Sequence, residues 1–221
     1  MSLPANLITL LTFILVASPP ATAFANEEIS VLNLRVELWQ VPKMTGVEIL
    51  DRARGKADTT DITLDLRKCA KSNDPDITLL ALPGLTARSG QRAKVESGRN
   101  EYISSYRIDE KTEQEVPVMS TYLTGTSLET DAVIGADGVS IDINLAFKHA
   151  LEEPILKDRT VIGPVSGKEL QVQSVLENRA ELTTSTTLLS GQTRLIGSLP
   201  VKKTDSLLLI FLYGEVVKVN P

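Results

Sequence analysis

The sequence predicts a mainly-β chain of the α+β class, built of antiparallel sheets with one or two helices near the N-terminus. Three observations predict it. Apolar and polar residues alternate at Val31–Val41 and again at Val139–Phe147, the period of a strand with one covered face. Helical spacing is confined to the stretch between Thr45 and Ala70. Glycine-centred turns separate other strand-like runs, at Ser89-Gly90-Gln91, Ala136-Asp137-Gly138 and Ser190-Gly191-Gln192. Glycine takes the positive φ of a tight turn without a Cβ clash.

In the first strand, Leu32, Leu34, Val36 and Leu38 share one face, and Asn33, Arg35 and Glu37 the other. Trp39 falls at the end of the polar face, a place for a core edge or a subunit contact. Pro42 closes the strand. Thr45 is placed to cap a helix through Val47, Ile49, Leu50 and Ala53 that ends near Gly55. Asp61 is placed to cap a second helix, with Ile62, Leu66, Cys69 and Ala70 on one face. That spacing makes Cys69 a buried position, where a free thiol behaves as a small apolar group. Ser72-Asn73-Asp74-Pro75 stops the helix, and Ile77–Leu82 is a short strand leading into Pro83-Gly84.

The pattern Thr-x-x-Ser-Gly-Gln occurs twice, at Thr86–Gln91 and Thr187–Gln192. The repetition predicts two hairpins with the same turn chemistry. Neither copy has the Gly-x-x-x-x-Gly-Lys spacing of a phosphate loop. Between them, residues 107–117 read as a charged, exposed stretch. Val118–Leu123 and Ser127–Ile134 read as strand, and Gly135–Gly138 as a turn. Residues 148–167 read as a turn-rich connection containing Pro154 and Pro164, with Lys168–Leu176 a further strand. A Thr-rich strand from Thr183 enters the second Ser-Gly-Gln turn and returns as Thr193–Ile196, broken by Gly197 and Pro200. The last run, Ser206–Val217, is apolar on both faces: Leu208, Ile210 and Leu212 point one way, Leu207, Leu209, Phe211 and Tyr213 the other. A strand covered on both sides lies inside a sandwich, a closed barrel or a subunit interface.

Composition narrows the function. The chain has 221 residues and a net charge of −5 with both signs interspersed. No basic stripe exists for nucleic acid, and aromatics, at 4%, are too few for base- or sugar-stacking platforms. Leu7–Ala17 is an apolar run of signal-peptide length, Pro19-Pro20 breaks it, and Ala23-Phe24-Ala25 fits a small-x-small cleavage site. The expected division is a signal peptide over 1–25 and one β-domain over 26–221. The other reading of this run, a membrane anchor, is short for a bilayer. Cys69 is the single cysteine, so no intramolecular disulfide staples the domain.

The residue inventory offers no catalytic, cofactor-binding or metal-binding set. His149 is the one histidine and reads as a solvated loop residue. There is no Gly-x-Ser-x-Gly elbow. Glu152-Glu153 and Asp74-x-Asp76 read as solvated charges, with Asp74 and Asp76 a weak cation site at most, because adjacency does not supply the unequal environments of an acid–base pair.

Four stretches, in order, resemble the C-terminal domain of bacterial secretins, the ring-forming outer-membrane channels of type II and type III secretion and type IV pilus systems. Leu80–Ile103 is similar to the family's proline, strand, Ser-Gly-Gln, strand segment. Gly125–Leu145 is similar to its Gly-x-x-Leu strand, Asp-Gly turn and alternating strand. Thr184–Leu199 resembles its Gly-Gln-Thr hairpin, and Leu207–Val217 its closing Leu-Leu-Ile-Phe strand. The residues that carry the motifs are Pro83, Gly90, Gln91, Gly98, Gly125, Gly138, Gly191, Gln192 and Gly197. The resemblance implies a secretin-like β-domain with no enzymatic activity and no cofactor. It implies self-association into a homo-oligomer, other secretion or pilus envelope proteins as partners, and a place in the outer membrane or periplasm. It also implies a gate-forming hairpin near residues 107–117 and lipid-facing strands with a lip near 148–167. Secretins carry further ring-forming domains ahead of this one, so a reduced, stand-alone secretin-like domain, soluble or peripheral in the periplasm, is the second expectation. An exported β-sandwich binding module needs no family and predicts a concave pocket with convergent polar groups. An exported hydrolase ranks last, for want of a base.

Overall fold

The computed structural model describes residues 29–72, 74–109, 111–201 and 204–219. The expected signal peptide and its cleavage site lie outside them. Among the described residues the chain is mainly β with two helices, and it stacks three layers: a helical layer, a first sheet and a second sheet.

The first sheet is centred on β1 (Ile29–Pro42) and β11 (Ser206–Val219), which pair antiparallel along their whole length from Ile29↔Val219 to Pro42↔Ser206. β10 (Gln192–Pro200) flanks β11. Two short strands, β2 (Thr78–Ala81) and β3 (Gly84–Arg88), share the other edge of β1. Pro83 stands between them, and its carbonyl accepts the Val36 amide at 2.9 Å. Proline has no N–H to lose at such a break in an edge strand.

The second sheet runs β4 (Arg92–Ile108), β5 (Glu115–Ile134), β6 (Ser140–Ala150) and β9 (Arg179–Leu189), all antiparallel. Its inner face carries Leu128, Ala132, Ile141, Ile143, Leu145, Phe147, Ala180 and Leu188. These pack on Leu32, Leu34, Val36, Leu38, Leu208, Ile210 and Leu212 of the first sheet. The other face of the first sheet carries Trp39, Val41, Leu209 and Phe211. They meet Ile49 of α1 (Lys43–Ala53) and Ile62 and Leu66 of α2 (Thr60–Lys71). The double-sided last strand therefore lies inside the stack, between sheet core and helical core. Burying each of its large side chains contributes on the order of 1.5–3 kcal/mol.

Several expectations are corrected. Neither Ser-Gly-Gln segment is a paired hairpin. β3 belongs to the first sheet and β4 to the second; β9 belongs to the second and β10 to the first. Both turns are points where the chain changes sheets. Turn chemistry is local and does not say which sheet the outgoing strand joins. The chemistry itself is shared: Gly90 and Gly191 have φ of 74° and 84°. Ser89 Oγ accepts the Ile134 amide, and Ser190 Oγ the Val216 amide, both at 2.9 Å. Gly90 and Gly191 donate to the Ala132 and Gly214 carbonyls, both at 2.8 Å. Each turn thus grips the strand beside the one it launches.

Trp39 is not a core edge or a subunit contact but a core residue, 1% exposed, because the helices cover the end of the polar face of β1. Glu37 is buried with it. Helix α1 starts at Lys43 rather than at a Thr45 cap, and α2 starts at Thr60, so Asp61 sits in its first turn. Asp58 Oδ1 accepts the Thr60 amide at 2.9 Å in place of that cap. Cys69 is exposed; the apolar stripe of α2 runs from Ile62 and Leu66 to Ala70 and leaves Cys69 beside it. β10 runs through Gly197 to Pro200, with its register slipping between Leu195 and Gly197. Residues 107–108 end β4 and 115–117 begin β5, with a turn at Lys111–Thr112 between them. Residues 148–167 hold the end of β6 and a strand, β7 (Ile155–Ile162), which pairs with β8 (Glu169–Leu176).

Candidate functional site: the edges, outer face and arm of the second sheet

In the second sheet each outer strand, β4 and β9, has a sheet partner on one side only. β4 pairs with β5 from Arg92↔Asp131 to Ile108↔Glu115. β6 joins β5 only from Thr126↔His149 onward. The part of the β4–β5 hairpin before Thr126 therefore projects beyond the sandwich. The β7–β8 hairpin runs out beside it, and the Ser104 amide donates to Gln173 Oε1 at 3.2 Å. Together the hairpins form an arm. Tyr102, Tyr106, Ile108 and Met119 are exposed on one face of the first hairpin, and Ile155 and Ile162 are exposed on β7.

Across the outer face of the second sheet the side chains are mainly polar, with Val133 and Leu189 exposed at one end. Arg92 pairs with Glu129, and Lys148 with Glu181 at 3.0 Å. Ser185 and Thr187 donate to Asn144 Oδ1 and Asp142 Oδ1, both at 2.6 Å. Lys148, and behind it Arg179, hold the Glu181 carboxyl below its ordinary range despite the opposing effect of burial. Such a face is made for water, and cross-strand pairs of opposite charge add modestly to the sheet.

The motif residues fall at structural joints rather than in one cluster. Pro83 and the two Ser-Gly-Gln turns are described above. The Gln91 amide closes the first turn on the Arg88 carbonyl at 3.1 Å, and Gln192 opens β10 opposite Gly214. Gly138, φ 71°, turns β5 into β6. There the Ser140 and Val139 amides bond to Asp137 and hold its carboxyl below the ordinary range. Gly98 and Gly125 face each other at the root of the arm. Gly197 gives Leu182 of β9 its room, since a Cβ there would lie 3.0 Å from that side chain.

His149 is not a loop residue. It is the last residue but one of β6, half-buried, with Nδ1 2.8 Å from Thr126 Oγ1, and burial pushes its pKa down. It borders a cleft of about 250 Å³ with Tyr122, Lys94, Glu96 and Arg179, whose charged groups are spent on one another or on neighbouring carboxylates. The Asp74 carboxylate accepts the Asp76 amide at 3.0 Å. Glu153 lies 3.6 Å from Arg99, and Glu152 accepts the Asn178 amide group at 3.3 Å. Among the described residues no group of His, Cys, Asp or Glu could hold a metal ion, and no helix is long and apolar enough to cross a membrane.

Two clusters lay outside the sequence reading. Glu37, 1% exposed, accepts Trp39 Nε1 at 3.0 Å and Arg67 of α2. Glu115 accepts groups from the turn between β7 and β8. The one signal for Glu37 was a carboxylate two residues from the only tryptophan; for Glu115 there was none.

No family model matches the chain, and no curated protein matches it. Solved secretin structures do. The chain is similar to the Klebsiella pneumoniae type II secretion system outer membrane complex of PulD, PulS and the PulC HR domain, at 10% identity and TM-score 0.42, over 87% of this chain and 40% of that one. It is similar to GspD in the ETEC pilotin–secretin AspS–GspD complex, at 11% identity and TM-score 0.42, over 87% and 50%. It is similar to the InvG secretin-domain β-barrel from the Salmonella SPI-1 injectisome, at 13% identity and TM-score 0.37, over 88% and 62%. The match thus spans about half or less of the first two chains.

Proposed function

We propose that this chain is an exported, self-associating envelope protein, a secretin-like subunit of an oligomeric outer-membrane channel for protein secretion. The observation that carries the reading is the second sheet. Within the sandwich its two outer strands, β4 and β9, have no strand beyond them on opposite sides, and its outer face is mainly hydrophilic. An open edge is a template for another chain. Pairing the β4 edge of one copy with the β9 edge of the next is a head-to-tail contact, and head-to-tail contacts make rings when the rotation closes. Closure removes every edge at once. The ion-paired outer face then suits a water-filled lumen. The motif residues serve as joints that set sheet crossing and arm angle, and the partners are further copies and other secretion or pilus envelope proteins.

The test is the mass and shape of the full chain extracted from membranes, by mass photometry and negative-stain imaging. Rings are expected; a monomer in every detergent and salt condition overturns the channel. The polar outer face of the second sheet lacks an apolar band, and this favours a second reading, a stand-alone domain at the periplasmic surface of another envelope protein. Release from envelopes by salt alone would select it.

A further inference from the structure

The two hairpins of the arm are joined near their tips by one carboxylate. Glu115 Oε1 accepts the Val165 amide at 2.8 Å and the Ser166 amide at 3.2 Å, and Oε2 accepts the Ser166 hydroxyl. The receiving turn is Gly163–Lys168. It is closed by the Gly163 amide on the Lys168 carbonyl at 2.8 Å and by the Gly167 amide on the Gly163 carbonyl at 3.0 Å. Gly167 has φ 66°. A Cβ at Gly163 would stand 2.5 Å from both carboxylate oxygens, so a side chain there would push the Glu115 carboxylate out of the turn. Successive amides in such a turn form a concave anion site. The Ser166 hydroxyl first, and then the Val165 amide, hold the Glu115 carboxyl below its ordinary range.

An isolated two-stranded hairpin is marginally stable in water, and every residue of β7 is exposed. The β7–β8 hairpin therefore depends on its attachments. Two of them are side-chain bonds to the β4–β5 hairpin: Gln173 with the Ser104 amide, and the Glu115 cluster. The second alone is charged, and bonds to an ionised acceptor are about twice as strong as neutral ones.

We propose that the Gly163–Lys168 turn is a carboxylate receptor, filled by Glu115, that clasps the two hairpins into one arm. The clasp needs the carboxylate to be carried by β5, so removing that side chain frees the two hairpins from each other at this point.

The experiment uses the full chain with Cys69→Ser, carrying nitroxide labels at Lys111→Cys and Arg159→Cys, and measures the distance distribution by pulsed electron resonance. The parent should give one narrow peak. Glu115→Ala should lose it to a broad distribution, while circular dichroism of the sandwich stays unchanged. Glu115→Gln, which keeps the length of the tether but not its charge, should broaden the peak partially. Ser166→Ala keeps the carboxylate and removes one donor, and should broaden the peak partially. A narrow peak that survives both Glu115→Ala and Ser166→Ala, or one that Glu115→Gln leaves as narrow as the parent's, overturns the proposal. Neither readout depends on ring formation, so this test can fail while the channel reading stands, and the reverse.

Discussion

Gly98 and Gly125 stand opposite each other across β4 and β5, and neither position has space for a Cβ. A methyl group at Gly98 would collide with the Thr124 carbonyl, and one at Gly125 with the Ser97 carbonyl. Both obstacles are backbone, so no rotamer change relieves them. Gly125 also has φ 153°, which side-chain-bearing residues rarely adopt. The close approach lies one step beyond Thr126, where β6 stops supporting β5, so it sets how the arm leaves the sandwich.

Gly98→Ala is therefore expected to cost about 1–3 kcal/mol, the range for overpacking. Gly125→Ala should cost more, since it adds backbone strain of about 1–3 kcal/mol. Gly90→Ala serves as the comparison. Its φ is positive, but a Cβ there meets nothing within 4 Å, so only the left-handed conformational cost of about 1–2 kcal/mol applies. Urea unfolding of the three variants checks the order; Gly90→Ala as the most destabilising would reverse the argument.

Glu37 fastens α2 to the first sheet. It is buried, it accepts Trp39 Nε1 at 3.0 Å and Arg67, and Arg35 Nε lies 3.4 Å away without the alignment of a hydrogen bond. The Arg35 guanidinium also sits 4.8 Å from the Tyr213 ring centroid. Removing one member of a buried pair costs up to about 3–5 kcal/mol. Both arginine side chains are about one-third exposed, at 36% and 35%, and recover some hydration, so Glu37→Gln should cost about 2–3 kcal/mol. Arg67→Met added to Glu37→Gln should cost less than the sum of the two single changes, because the partner left behind is gone. A double-mutant cycle in urea reads this directly. Additive losses would show that Glu37 and Arg67 act independently.

The core was largely legible in the chain. Alternation in β1 and β6 put Leu32–Leu38 and Ile141–Phe147 on the correct faces, and the double-sided pattern of β11 gave a strand covered twice. What failed was non-local. Ser89-Gly90-Gln91 and Ser190-Gly191-Gln192 announce a turn, but whether a turn closes a hairpin or changes sheet depends on which strands pair across long separations. Glu37 looked wet, and Trp39 a core edge or subunit contact, because alternation describes one sheet face at a time and is silent about a helix laid over it. β7 was missed because Lys157, Asp158 and Arg159 interrupt its apolar residues; a strand exposed along its whole length has no period to show. Of the motif residues, the glycines at Gly90, Gly138 and Gly191 announced themselves through turn chemistry. The need for glycine at Gly98 and Gly125 became visible only once β4 lay against β5.

The remaining prediction concerns acid. His149 is the only histidine in the chain, and burial lowers its pKa in the folded state. A base with a lowered folded pKa binds its proton more readily when unfolded, so stability rises with pH across its titration range. The stabilisation is complete above the ordinary histidine value. It declines as pH falls below that value and levels off once pH has passed the lower, folded-state one. The carboxylates at Asp58, Asp137 and Glu115, whose folded pKa values are also lowered, lose their contribution only further down, as pH falls through values below the ordinary carboxylate range. Urea midpoints measured from neutral to mildly acidic pH should therefore decline because of His149 first. His149→Gln, which keeps a hydrogen-bonding group near Thr126 but cannot take up the proton, should flatten that upper part of the profile and leave the carboxylate part in place. A profile unchanged by His149→Gln would mean that the ring stays as accessible to water in the fold as out of it, and would return His149 to the solvated role its sequence neighbours suggested.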